Sequence, residues 1–191
     1  VLSLFWSISQ VILSIFGEYA KSELGITNAI TVQGVMALAG FGIVAGSIFA
    51  AKFSKYYINM GLVSIGSVGI MIVVFLVAQS DSIEVLAFLF TVFGVFAGLV
   101  MVPLNARIQL ITPNIHLGTV LAGSNFIQNI FMVGFLIVTT VFAYFGTNAE
   151  SLFYFMGFVA LYMTITVFKR YLVMTFWTTL ELLSMIGHKY E

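Results

Sequence analysis

VLAFLFTVFGVFAGLVMVPL, residues 85–104, is a run of twenty residues without a single charged side chain. As a helix rising ~1.5 Å per residue it is about 30 Å long, the thickness of a bilayer's hydrocarbon core. Working outward, charges fall in short clusters and the sequence between them reads the same way. Six spans follow: Leu2 to Phe16, Ile30 to Ala51, Met60 to Ala78, Val85 to Leu104, Thr119 to Phe145 and Leu152 to Phe168. Composition agrees, with 61% hydrophobic and 7% charged residues against roughly 25% charged in a soluble domain. The fold class expected is an all-α membrane protein.

Seven basic and seven acidic residues cancel, so no nucleic-acid surface is expected. Cysteine is absent and the two histidines, His116 and His188, lie far apart, which removes thiolate chemistry and leaves no expectation of a metal site. No P-loop, catalytic triad or paired-carboxylate arrangement is present, so no catalytic residue and no cofactor is assigned. No Asp, Glu, Lys, Arg or His lies near the middle of any span, so no proton relay or voltage sensor is expected.

Lys52 and Lys55, Arg107, and Lys169 with Arg170 fall on alternate connections. The other connections carry Glu18, Lys21 and Glu23, then Asp81 and Glu84, then Glu150, one base among five acids. The positive-inside rule therefore predicts that both ends of the segment are cytoplasmic. Val1 already stands inside an apolar run, with no basic leader, and the chain is expected to be part of something longer. After Phe168, residues 169–191 read as a cytoplasmic interfacial helix leading toward a further domain, because Glu181 and three threonines would be costly in a seventh span.

Within the spans, Gly42 and Gly46, and Gly94 and Gly98, repeat at four-residue spacing and predict close helix packing. Ser3, Ser7, Gln10 and Ser14 share one face of the first span, continued by Gly17 and Glu18, as a wall facing a watery interior would. In the fifth span Gly118, Ala122, Asn125 and Asn129 align, flanked by Gln128. Three carboxamides within five residues need partners or water. Asn105, Arg107 and Gln109 form a third polar group beside Pro103. Ser3, Ser7, Gln10, Ser14, Asn105, Asn125, Gln128 and Asn129 are the candidate substrate-binding residues. For each group the alternative is structural: hydroxyls bonded to their own helix, carboxamides joining helices, an arginine as a cytoplasmic anchor.

The run VPLNARIQLITPNIHLGTVLAGSNFIQNIFM, Val102 to Met132, resembles the stretch joining the tenth and eleventh spans of lysophospholipid transporters of the major facilitator superfamily. GSIFAAKFSKYYINMGLVSIGSVG, Gly46 to Gly69, is similar to their connection between the eighth and ninth spans. The superfamily's acidic-basic loop motif is degenerate here, with Ala50 and Ala51 near the acidic position and Lys52 and Lys55 keeping the basic character. The resemblance covers about Phe5 to Arg170. It implies the C-terminal six-span half of a twelve-span transporter, in which the first and fourth spans line a central cavity, with the N-terminal half as the missing partner.

It further implies alternating-access movement of a lysophospholipid or another amphiphile in the bacterial inner membrane. In some similar proteins an acyltransferase and an acyl-carrier-protein synthetase domain follow the transporter, and none of their motifs lies in these residues. Transport of a different small molecule, or service as a membrane anchor for a fused acyltransferase, are the other functions compatible with the sequence.

Overall fold

The computed structural model describes residues 1–55 and 57–187, and its regular structure is helical throughout. Six α-helices follow one another: α1 Leu2–Ser22, α2 Ala29–Phe53, α3 Gly61–Val77, α4 Ile83–Ile111, α5 Leu117–Tyr144 and α6 Ala149–Gly187. A 3-10 turn, Asn114–His116, precedes α5. Five of the helices are long and apolar enough to cross a membrane, and α3 is a shorter apolar helix of 17 residues. This is the architecture of a multi-pass membrane protein.

The expected spans are all helices, but several run further than apolarity indicates. α1 continues beyond Phe16 to Ser22, so that Gly17 and Glu18 are helical. It ends where Gly25 takes a positive φ of 64° and Ile26 N–H reaches back to the carbonyl of Ala20 at 2.9 Å, a conformation that costs glycine little. α4 passes through Pro103 and reaches Ile111. α6 does not stop at Phe168: it bends at Tyr171, the one non-helical residue within it (φ −126°, ψ 19°), and resumes to Gly187. His188 to Glu191, the end of the expected interfacial tail, lie outside the described residues.

Neighbouring helices meet in the order α2, α4, α3, α6, α1, α5. The α2–α4 contact is the closest. A Cβ on Gly42 would strike the carbonyl oxygen of Thr91, one on Gly46 that of Val95, and one on Gly94 that of Ala39. One on Gly98 would stand 2.6 Å from the backbone nitrogen of Ser47. The two backbones touch because side chains are missing on both sides, the means by which helices gain dispersion contact in lipid, where apolar burial drives nothing.

Elsewhere aromatic rings fill the same role. The Phe96 ring of α4 lies where a side chain on Gly69 of α3 would project, and the Phe75 ring of α3 covers Gly157 of α6. The Thr164 hydroxyl of α6 donates to the carbonyl of Ser67 at 3.0 Å. α1 bridges α4 and α6, with Phe16 against Phe90 of α4 at 4.5 Å and Tyr19 against Phe153 of α6 at 5.1 Å between ring centroids. The Tyr19 hydroxyl also donates to the carbonyl of Ser80 at 3.0 Å, pinning the turn between α3 and α4.

α5 is the exception, because it packs chiefly on α1 and buries only Gln128 and Thr139. Its glycines 118, 123 and 134 face open space.

Two glycine substitutions should therefore behave oppositely. Gly94→Ala forces a methyl group into the α2 backbone and should destabilise the protein by about 1–3 kcal/mol. Gly134→Ala meets no atom and should be neutral or stabilise by up to ~1 kcal/mol through helix propensity. Thermal unfolding of both in detergent checks this, and equal effects would remove the α2–α4 contact as the tightest in the bundle.

Candidate functional site

Most hydroxyls in the helices are spoken for locally. Ser7 donates to the carbonyl of Ser3 at 2.8 Å, Ser9 to Phe5 at 2.9 Å, Thr91 to Ala87 at 2.8 Å and Thr139 to Phe135 at 2.9 Å. This back-bonding lets a short polar side chain sit in an apolar helix without any other partner. Carboxamides have two donors and two acceptor lone pairs and cannot be satisfied in that way.

Four of them converge. Asn105 from α4 and Asn125, Gln128 and Asn129 from α5 line one cleft of about 350 Å³, together with Trp6 of α1 and Met132 of α5. The cleft lies at the end of the bundle where α1 and α5 begin and α4 finishes. Gln128 is buried and its Nε2 donates to Ser124 Oγ at 2.8 Å within the same helix. Asn125 and Asn129 are exposed. None of the four carboxamides bonds to another helix among the described residues.

The fold explains why Asn105 reaches this place. Pro103, buried in α4, has no N–H to offer the carbonyl of Leu99, which ordinarily bends a helix. Two residues later Asn105 projects from the last part of the same helix. No formal charge lines the cleft. The closest basic residue in sequence, Arg107, is half-buried, and its guanidinium carbon lies 5.8 Å from the centre of the Tyr171 ring, within range of cation–π attraction. The cleft can thus orient a ligand by hydrogen bonds from amide N–H and C=O groups, with an indole and a thioether as its apolar sides.

The expected serine-glutamine wall does not assemble as one surface. Ser7 is fully buried with its hydroxyl committed, Ser3 is half-buried, and Gln10 and Ser14 are exposed. Ser7 lies about 60° round the helix from Gln10 at 3.6 residues per turn. The open face of α1 runs instead through Trp6, Gln10, Ser14 and Gly17. Ser14 belongs to a second, smaller recess of about 220 Å³ at the opposite end of the bundle, with Glu18 of α1 and Thr139, Thr140 and Thr147. The sequence candidates therefore do not form one site: Asn105, Asn125, Gln128 and Asn129 line the first cleft, Ser14 the second, and Ser3, Ser7 and Gln10 neither.

Trp6 and Met132 were not among the candidates. Both sit one helical turn from a residue that was, Trp6 four before Gln10 and Met132 three after Asn129. That spacing is the only signal for them. Comparison with protein-family models, with curated proteins and with solved structures finds no match to this chain.

The absence of cysteine makes the α1 face directly testable. Cysteine at Gln10 or Ser14 should react with a membrane-impermeant maleimide at least tenfold faster than cysteine at Ser7, since a thiolate forms only where water reaches. Rapid reaction of Ser7→Cys would show that α1 is rotated from the orientation described.

Proposed function

We propose that this chain is the C-terminal half of a major facilitator transporter that moves a lysophospholipid in the bacterial inner membrane by alternating access. The observation that carries this reading is the convergence of Asn105, Asn125 and Asn129 on one uncharged cleft without a partner from another helix. Carboxamides placed in a membrane-spanning bundle are costly until something hydrogen-bonds to them. A zwitterionic head group offers donors and acceptors together and carries no net charge that would require a counter-ion in the site.

Size supports the same reading. A cleft of about 350 Å³ is large enough for a polar head group but not for the acyl chain attached to it. The chain would then run along apolar surface beside the cleft. α5 offers such a surface, with Phe126, Ile130 and Val133 exposed next to the two asparagines. An open α5 face, packed chiefly on one neighbour, is also what a half-bundle presents to a second half. In this reading the residues bind and reorient substrate and break no bond.

The test is uptake of labelled lysophospholipid by vesicles containing the full-length protein. Asn125→Ala and Asn129→Ala should each lower the initial rate at least tenfold while shifting thermal stability by no more than about 0.6 kcal/mol, the average for an interhelical hydrogen bond in a membrane. Loss of stability with unchanged uptake per folded molecule would mark both residues as structural and remove them from the site. The isolated segment Val1–Glu191 should give no flux.

A further inference from the structure

Beyond the bend at Tyr171 the helix is amphipathic in the reverse sense to a helix lying on a water-exposed surface. Tyr171, Thr175 and Thr178 are buried at intervals of four and three. Facing outward are Leu172, Val173, Met174, Phe176, Trp177 and Leu180, exposed by 62, 70, 48, 61, 64 and 42%. The Thr175 and Thr178 hydroxyls point into protein and the large apolar side chains point away from it.

The hydroxyls have specific partners on the start of α3. Thr175 donates to Ser64 Oγ at 2.7 Å, and Thr178 donates to Asn59 Oδ1 at 2.6 Å. Asn59 Oδ1 also accepts from Gly61 N–H at 3.1 Å, so one carboxamide joins the first turn of α3 to the tail. Gly61 permits the approach, because a Cβ there would strike the Thr178 hydroxyl and lie 2.7 Å from the carbonyl of Met174. Immediately before the bend, Lys169 and Arg170 are exposed.

We propose that residues 172–180 lie within the lipid, docked on the end of α3 through their hydroxyls, with their apolar face among acyl chains and Lys169 and Arg170 among lipid phosphates. Three observations select lipid as the occupant. Among the described residues of the outward face the one polar side chain, the half-buried Thr179, spends its hydroxyl on the carbonyl of Phe176 in its own helix, at 2.8 Å. Thr175 and Thr178 are turned to α3, which is the arrangement required where no water is available to satisfy them. Two cations stand where the helix leaves the span, as they do at lipid head groups. The segment thereby clasps α3 from the membrane side, and the inner end of α3 is held by lipid-embedded chain in place of a soluble linker.

Trp177 reports its own surroundings. In the full chain with every other tryptophan replaced by phenylalanine, reconstituted in phosphatidylcholine vesicles, its fluorescence should fall about twofold or more when the acyl chains carry bromine. Aqueous iodide should quench it little. Iodide quenching without bromolipid quenching would overturn the proposal in favour of a surface helix, and protection from both would overturn it in favour of a covering protein.

Replacing Lys169 and Arg170 with glutamine should abolish any deepening of Trp177 on adding phosphatidylglycerol; an unchanged response to that lipid would separate the cations from the phosphate contact and overturn that part. Thr175→Val with Thr178→Val should raise iodide quenching about twofold by freeing the segment from α3, and no change in that double variant would show that the hydroxyls do not dock it. Fluorescence requires no transport, so its outcome is independent of the uptake measurements.

Discussion

The backbone contact between α2 and α4 is the constraint from which the rest of the bundle is set. Four glycines, 42, 46, 94 and 98, each face backbone atoms of the other helix at a distance that no side chain could occupy. In lipid this kind of approach is the main source of helix–helix attraction, since apolar surface gains nothing by leaving acyl chains. With α4 fixed against α2, its other flank presents Phe96 to Gly66 and Gly69 of α3, and α3 in turn presents Phe75 to Gly157 of α6. Each contact repeats the first in milder form, a glycine receiving a backbone or a ring. The chain α2, α4, α3, α6 is a succession of such fits, and α1 joins α4 to α6 through Phe16 and Tyr19.

α4 connects this packing to the candidate site. The same helix holds the glycine seam through residues 94 and 98, passes Pro103 and ends with Asn105 in the cleft and Arg107 on the Tyr171 ring. Anything that moves α4 relative to α2 therefore moves Asn105 relative to Asn125 and Asn129, which belong to α5. α5 is held by α1 and little else. The cleft is thus built across a helix packed closely on α2 and α3 and one held chiefly by α1.

The positions of the six helices were legible because charge punctuates the sequence and apolar length has a physical minimum. Their ends were less so: Gly17 to Ser22 are helical although polar or charged side chains dominate there, since a helix does not need lipid to continue. The carboxamides stood out because each is expensive in hydrocarbon, and the structure gathers Asn105, Asn125, Gln128 and Asn129 in one cleft. Trp6 and Met132 carry no such contrast in a chain where 61% of residues are hydrophobic. Ser7 illustrates the opposite error. Its spacing matches Ser3 and Ser14, but serine's local bond to the Ser3 carbonyl makes it indistinguishable, in sequence, from a residue facing water. The tail's threonines counted in sequence only as a cost in lipid for a related reason: the partners of Thr175 and Thr178 are Ser64 and Asn59, more than a hundred residues away.

Hydroxyl and carboxamide side chains separate cleanly under one rule, that every polar group in a bilayer must find a partner. A hydroxyl meets the rule alone, by returning to its own helix, and so Ser7, Ser9, Thr91 and Thr139 ask nothing of the surroundings. Where a hydroxyl also reaches another helix, as Thr164, Thr175 and Thr178 do, it adds direction to packing that is already in place. A carboxamide has more valences than its own helix can fill. Asn59 brings its oxygen to both Gly61 and Thr178 and in doing so fixes the tail. Gln128 spends one donor on Ser124 and retains the remainder. Among the described residues Asn105, Asn125 and Asn129 form no bond to another helix, and they open onto the same space. The cost of an unpaired carboxamide shows in two forms: among the described residues Asn59 Nδ2 is buried without a partner beside the tail, whereas Asn125 and Asn129 stay exposed at the cleft, where water or another hydrogen-bonding group can meet them.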